Sequence, residues 1–261
     1  MIYVGTSGFK FSDWKGSFYP EDLPEKEWLR YYGERFNCLE VNSTYYRLLP
    51  ARTFYYMAQK VPDGFQFTVK AYGGLTHEPA AGGEDDFGAF IDALQPLLEA
   101  GKFGCVLAQF PHRFHNTQEN RQYLAEFKRR FGELPLVVEF RSGEWAQPAV
   151  FDFLREAGIG YCAVDEPRFL NLMPPIAAAT SPVGYVRFHG RNYEKWWTGD
   201  NKTRYDYLYS ADELREWVPK IGELAERTER VYVFMNNCYN GQAATNAAQM
   251  KGLLQQELGM S

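Results

Sequence analysis

The stretch V-G-Y-V-R-F-H-G-R-N at residues 183–192 decides the fold. Side chains of a strand alternate with a period of two, so Val186 and Phe188 face one way while Arg187 and His189 face the other. A strand buried on both faces reads as a nearly unbroken apolar run, and an unpaired buried charge is costly or shifts its pKa. Arg187 and His189 therefore need partners from neighbouring strands. The pattern predicts either a salt-bridged core or a functional site.

Working outward, short apolar runs alternate with segments of helical period, the pattern of βα units around a parallel sheet. Strands are expected at 2–5, 39–42, 66–70, 105–110, 136–140, 161–164, 185–189 and 231–236. Helices are expected around 26–36, 53–60, 85–100, 118–130, 150–157, 211–227 and 243–257. Eight strands with helices between them is the count of a closed (β/α)8 TIM-like barrel. The sixth unit is irregular: residues 166–182 carry four prolines and an alanine run, which predicts extended chain in place of a helix.

The chain has 261 residues, 45% of them apolar and 17% aromatic, enough for the core of one such barrel at about 250 residues, so 1–261 is expected to form a single domain. A net charge of −5 predicts no general attraction to nucleic acid or anionic membranes, while leaving room for a local basic pocket. Cys38, Cys105, Cys162 and Cys238 are widely spaced without a C-x-x-C pair, which suits reduced thiols in a cytoplasmic protein. The opening M-I-Y-V-G lacks a basic segment followed by an apolar one, and no run of about 18 apolar residues occurs, so neither secretion nor membrane insertion is expected.

Connections differ by direction. Helix-to-strand joints at 61–65, 101–104, 132–135 and 158–160 are brief and marked by Gly or Pro, whereas the strand-to-helix joints at 6–24, 71–83 and 190–210 are long, and the first and last of them are rich in aromatics. In a barrel the strand-to-helix loops gather at the strand C-termini, where sites are built. Polar residues inside the strands fall at the same end: Glu40, Asn42, Lys70, Gln109, Glu139, Arg141, Asp165, Arg187, His189, Asn236 and Asn237. Closed into a barrel, they are expected to converge on its mouth.

Motifs over nearly the whole chain carry a resemblance. They are G-T-S-G-F at 5–9, W-K-G-S-F-Y-P at 14–20, L-E-V-N-S-T-Y-Y at 39–46, V-K-A at 69–71 and T-H at 76–77, then Q-F-P at 109–111, V-E-F-R at 138–141, V-R-F-H-G-R at 186–191, and N-N at 236–237 with G-Q-A-A-T-N-A at 241–247. As a set they resemble the DUF72, or YecE-like, family. The resemblance implies a (β/α)8-like barrel and brings no catalytic residues with it. Met235 departs from the family pattern, which reads F-N-N at this place.

Three uses of the polar set stay open. Glu139, Arg141, Arg187, Asp165 and His189 could form a charge-paired plug that fixes barrel register. Alternatively, Lys70, Arg141, Arg187 and Arg191, with Asn42, Gln109, Asn236 and Asn237, could bind a small anionic or polyhydroxylated substrate. Glu40, Glu139, Asp165 and His189 would then serve as acid, base or shuttle in hydrolysis or isomerisation. The same four are ligand types for a divalent metal such as Mg, Mn or Zn; because no H-x-H or H-E-x-x-H spacing occurs and the neighbouring cations repel an ion, no cofactor is expected, with a divalent metal as the alternative. P-loop, G-x-S-x-G and G-x-G-x-x-G motifs are absent. The rival partner is single-stranded nucleic acid, held by the same cations with stacking on Phe9, Phe11, Trp14, Phe18, Tyr19, Trp196 and Trp197; a basic groove running past Lys195, Lys202 and Arg204, in place of a closed pocket, would favour it. The sequence does not fix an oligomeric state.

Overall fold

The computed structural model describes residues 1–78, 84–200 and 203–259. Residues 79–83 of the expected loop 71–83, and Lys202 of the basic stretch, lie outside the described residues. Eight parallel strands close in sequence order: β1 (Ile2–Ser7), β2 (Cys38–Val41), β3 (Gln66–Lys70), β4 (Phe103–Gln109), β5 (Leu136–Glu139), β6 (Gly160–Asp165), β7 (Val183–Phe188) and β8 (Arg230–Met235). β8 pairs back onto β1 from Ile2↔Val231 to Thr6↔Met235, so Met235 sits in a regular register. The helices are α1 (Trp28–Gly33), α2 (Ala51–Ala58), α3 (Gly73–Thr76), α4 (Glu84–Ala93), α5 (Gln95–Glu99), α6 (Gln118–Phe131), α7 (Pro148–Glu156), α8 (Ala211–Arg215), α9 (Val218–Arg227) and α10 (Gln242–Leu258).

Two helices expected to be continuous are each split. The 85–100 stretch breaks before α5 and the 211–227 stretch before α9, with Pro96 and Pro219 in the first turns of the second pieces. Proline has no N–H to extend a preceding helix yet suits a first turn. The sixth unit is irregular as expected: between β6 and β7 the chain forms no helix. Side chains from neighbouring helices tie down its carbonyls, Arg155 Nε donating to Ala179 O at 3.2 Å and Lys220 Nζ to Pro175 O at 2.7 Å.

Contacts across the barrel identify the inward parity. Near the strand N-termini Tyr3 stacks on Tyr232 at 5.1 Å, and the Tyr232 hydroxyl donates to Gln66 Oε1 at 3.4 Å. Above them the Tyr185 hydroxyl meets Thr68 Oγ1 at 2.9 Å, and its ring lies 5.3 Å from Phe234. The third level belongs to Glu40, Glu139 and Arg187. Layered packing of this kind makes the barrel a filled core with its free face at the top.

At the β1–β2 seam the Tyr32 hydroxyl from α1 inserts between strands, accepting from Thr6 N at 2.8 Å and donating to Cys38 O at 3.0 Å. Gly5 admits it: a Cβ there would sit 2.2 Å from Cys38 O and 2.9 Å from the Tyr32 hydroxyl. Gly5→Ala is expected to push the strands apart and cost about 1–3 kcal/mol, the range for overpacking. Urea denaturation measures it, and an unchanged midpoint would show the seam to be compliant.

All four cysteines are free, three of them buried. Among the described residues no helix is long and apolar enough to cross a membrane.

Candidate active site at the barrel mouth

Arg187, at the end of β7, organises the mouth. Its Nη1 donates to Glu139 Oε2 at 2.6 Å and its Nη2 to Glu40 Oε1 at 2.7 Å, so one guanidinium bridges carboxylates from β2 and β5. Longer contacts of 3.4 Å from Nη2 reach Ser7 Oγ and Asn236 Oδ1. Tyr185, two residues earlier and on the same face, donates its hydroxyl to Glu40 Oε2 at 2.7 Å. Arg187, Glu40 and Glu139 are almost completely buried.

Glu139 also receives Arg141 Nε at 2.8 Å and His189 Nε2 at 3.1 Å on its Oε1. Burial alone would raise its carboxyl, but Arg141, Arg187 and His189 outweigh burial and hold it well below the usual carboxylate range. Arg187 is the converse: burial disfavours its charge, and Glu139 and Glu40 more than restore it. Burial, then Arg141, push the His189 imidazole down to about 3, against the pull of Glu139. Its tautomer follows from the network. Asn236 turns Oδ1 toward Arg187 and therefore Nδ2 toward His189 Nδ1, 3.0 Å away, leaving Nε2–H to donate to Glu139.

Two further titratable groups flank the network, Lys70 at the rim and the buried Glu166. Lys70 Nζ, partly exposed at the end of β3, donates to Gln109 Oε1 at 3.0 Å and lies 4.4 Å from the Tyr45 ring centroid, with no carboxylate partner among the described residues. Burial, then the nearby Arg187, bring its amine down to about 7, against the pull of Glu139 and Glu40. Glu166 accepts from Arg141 Nη1 at 2.9 Å and Met173 N at 3.2 Å, and burial raises its carboxyl to about 7 despite Arg141.

Most of the residues expected at the mouth meet here: Glu40, Lys70, Gln109, Glu139, Arg141, Arg187, His189 and Asn236. Asn42 lies one residue past β2 with Glu40's parity, its Oδ1 buried and without a hydrogen-bond partner. Asp165, Arg191 and Asn237 do not join, which corrects the expectation of convergence. Asp165 has the opposite parity to Cys162, whose thiol faces Glu139, and it points into the helix layer. There its carboxylate takes Arg191 Nε and Nη2 at 2.9 and 2.7 Å, the Tyr209 hydroxyl at 2.7 Å and Trp217 Nε1 at 2.7 Å. Asn237 is likewise turned outward, donating to Tyr207 O and Asn246 Oδ1, both at 2.8 Å. Glu166 takes the inward place, and its signal in the sequence was the i, i+2, i+4 parity of Cys162, Val164 and Glu166.

Among the described residues no three His, Cys, Asp or Glu side chains are grouped to hold a metal ion. The physical reason at the mouth is that Arg187 occupies one oxygen of each of Glu40 and Glu139. The first-loop aromatics pack on one another: Phe11 lies 4.9 Å and Tyr19 6.0 Å from Trp14, which is fully buried, its indole donating to Cys238 O at 2.7 Å. Trp196 is buried as well, whereas Trp197 is half exposed, 5.9 Å from His112. Two concavities of about 420 and 460 Å³ lie away from the network, one near Met1, Tyr3 and Phe65 and the other between Phe18 and Ala244. Convergent chemistry, rather than concavity, marks the mouth.

The chain matches the family model described as "Protein of unknown function DUF72" over residues 3–260. It is 34% identical to the UPF0759 protein YunF of Bacillus subtilis, covering 97% of this chain and 95% of that protein. A crystal structure of a DUF72 family protein from Thermotoga maritima is 42% identical, with a TM-score of 0.91 over 98% of this chain and 99% of its own. Another, from Enterococcus faecalis, is 29% identical, with a TM-score of 0.88 over 100% and 96%.

Proposed function

The chain belongs to the DUF72 family, and from its barrel mouth we propose an enzyme that performs acid/base chemistry, hydrolysis or isomerisation, on a small anionic or polyhydroxylated substrate. The carrying observation is an asymmetry of pairing. Arg187, Glu40, Glu139 and His189 pair with one another in the interior, where Arg187 Nε is left without a partner, and further donors remain at the rim: Arg141 Nη2 and the further N–H bonds of Lys70 have no partner among the described residues. A plug needs no spare donors at its solvent edge; an anion seat does. Glu139, already hydrogen-bonded by Arg187 and His189 and ion-paired with Arg141, acts as the anchor that positions Arg141 and His189. The proton carriers are Lys70 and Glu166, both brought to about 7, where a group gives and takes protons with similar ease.

Thermal unfolding with sugar phosphates, polyols, divalent metals and oligonucleotides tests this reading. A small ligand present at about 100 Kd adds about 2.7 kcal/mol to stability. Stabilisation by a sugar phosphate or polyol, lost in Lys70→Met, is the expected result. Stabilisation by oligonucleotides alone, steeply reduced by salt, would replace this reading with single-stranded nucleic acid as the partner. No stabilisation by any sugar phosphate or polyol would sink it.

A further inference from the structure

We propose that Lys70 is a carbonyl-capturing amine, whose Nζ attacks the carbonyl carbon of a small anionic aldehyde or ketone seated beside Arg141 and forms an imine with it. The inference rests on the acid/base reading of the mouth and names its substrate class. Lys70 stands at the C-terminal end of β3, in the ring of strand ends that faces the long loops. It is the odd member of that ring. Arg187 has two carboxylate partners and Arg141 two, while Lys70 has a neutral amide. Gln109 cannot turn that amide over freely, because its Nε2 donates to Phe110 O at 2.8 Å and so presents Oε1 to the lysine. A neutral amine in this place spends one N–H on Gln109 and keeps its lone pair and second N–H for a ligand.

Groups from every neighbouring element bear on the amine. Arg187 from β7 and Arg141 beyond β5 disfavour an ammonium; Glu139 of β5 and Glu40 of β2 favour one, but both are already bridged by Arg187. Tyr45 offers its ring face, which favours the cation weakly, and His77, 5.0 Å from Tyr45, is itself driven down to about 4 by burial and then by Lys70, so it stays neutral and adds no charge. Arginine in this position would stay charged; lysine is the cation that can shed its proton, and buried lysines do so.

The step balances without an oxidant or reductant. The amine lone pair forms the C–N bond as the carbonyl π pair moves to oxygen, which takes up a proton while nitrogen loses one. The resulting carbinolamine then breaks its C–O bond, releasing water and leaving the imine. Arg141 Nη2 provides the charge for the substrate's carboxylate or phosphate.

The test uses the full chain with glyoxylate, the smallest anionic aldehyde, and cyanoborohydride, whose hydride converts the imine to a stable secondary amine read by peptide mass spectrometry. At pH 7, Lys70 is expected to be modified at least about tenfold faster than the exposed Lys10 and Lys195. Gln109→Glu places a carboxylate against the amine, so the pH of half-maximal modification should move upward while the exposed lysines keep theirs. Modification of Lys70 no faster than that of Lys10 and Lys195, or an unmoved profile in Gln109→Glu, overturns the proposal. A stabilising sugar phosphate or polyol without fast modification would sink this inference alone and leave the acid/base reading standing. Fast modification without any stabilising sugar phosphate or polyol would leave the reactive amine standing but sink the acid/base reading, and with it the substrate class assigned here.

Discussion

Arg187→Ala lowers the free energy of unfolding by about 3–5 kcal/mol, the cost of breaking a buried pair from one side. The loss is larger than that of a surface bridge because the substitution leaves two carboxylates, Glu40 and Glu139, in a dry interior, and a cavity where one of the largest fully buried side chains stood. For a domain of this size that corresponds to a fall of about 10 °C in Tm. Arg187→Lys does not restore it, since one ammonium lacks the fork that reaches both acids. Arg187→Met with Glu40→Gln recovers part of the loss, because the amide oxygen still accepts from Tyr185 and one orphaned charge is gone. The acid side changes too. Glu139 titrates far below an unfolded carboxyl, so its stabilisation is fully present above about pH 4.3 and is lost as pH falls toward its folded value. Without Arg187 that slope becomes shallower. Chemical denaturation across pH measures both effects, and a loss under about 1 kcal/mol would show that the network does not hold the barrel.

Asp165→Asn follows at about 2–4 kcal/mol, although it removes no volume. The carboxylate accepts four hydrogen bonds from three residues, and an amide brings one oxygen and a donor into a nest made only of donors. Tyr209, itself donating to Asp165 and accepting from Gly190 N at 2.8 Å, would lose its anchor, and the loop after β7 would lose its fixed start. Trp217 reports the change directly through its emission. A midpoint within about 0.5 kcal/mol of the parent would refute the structural role. Ligand stabilisation at the mouth should survive in Asp165→Asn, since this cluster faces the helices.

The strand count, the shared parity of Glu139 with Arg141 and of Arg187 with His189, and the proline-rich gap after β6 were legible because each is a local pattern. The choice between Asp165 and Glu166 was not. A polar residue on a half-exposed strand declares its face, but β6 is buried on both sides and Tyr161, Cys162, Ala163 and Val164 fit either one. Adjacent acids at the strand end then differ by a single step of register, and the sequence pattern favours Asp165 for the inward place that Glu166 takes. Asn236 and Asn237 carry the same ambiguity, since adjacent residues of a strand end cannot both face the mouth. The helix breaks at Pro96 and Pro219 had a visible signal, which the helical period on either side concealed. The pairings of His189 with Asn236 and of Lys70 with the neutral amide of Gln109 depend on separate strands, so no local pattern encodes them.

The barrel is not equally joined around its circumference. β7 and β8 share a register of six residues, from Val183↔Arg230 to Phe188↔Met235, whereas β5 and β6 share only Val137↔Gly160 and Val138↔Tyr161. Immediately beyond that short ladder, Arg141 from the end of β5 grips Glu166 from the end of β6. The cylinder is thus buckled there by an ion pair in place of peptide hydrogen bonds. A buckle of this kind has a property that a ladder lacks: a proton can undo it. The charge on one glutamate and the tightness of the hoop meet there in the same joint.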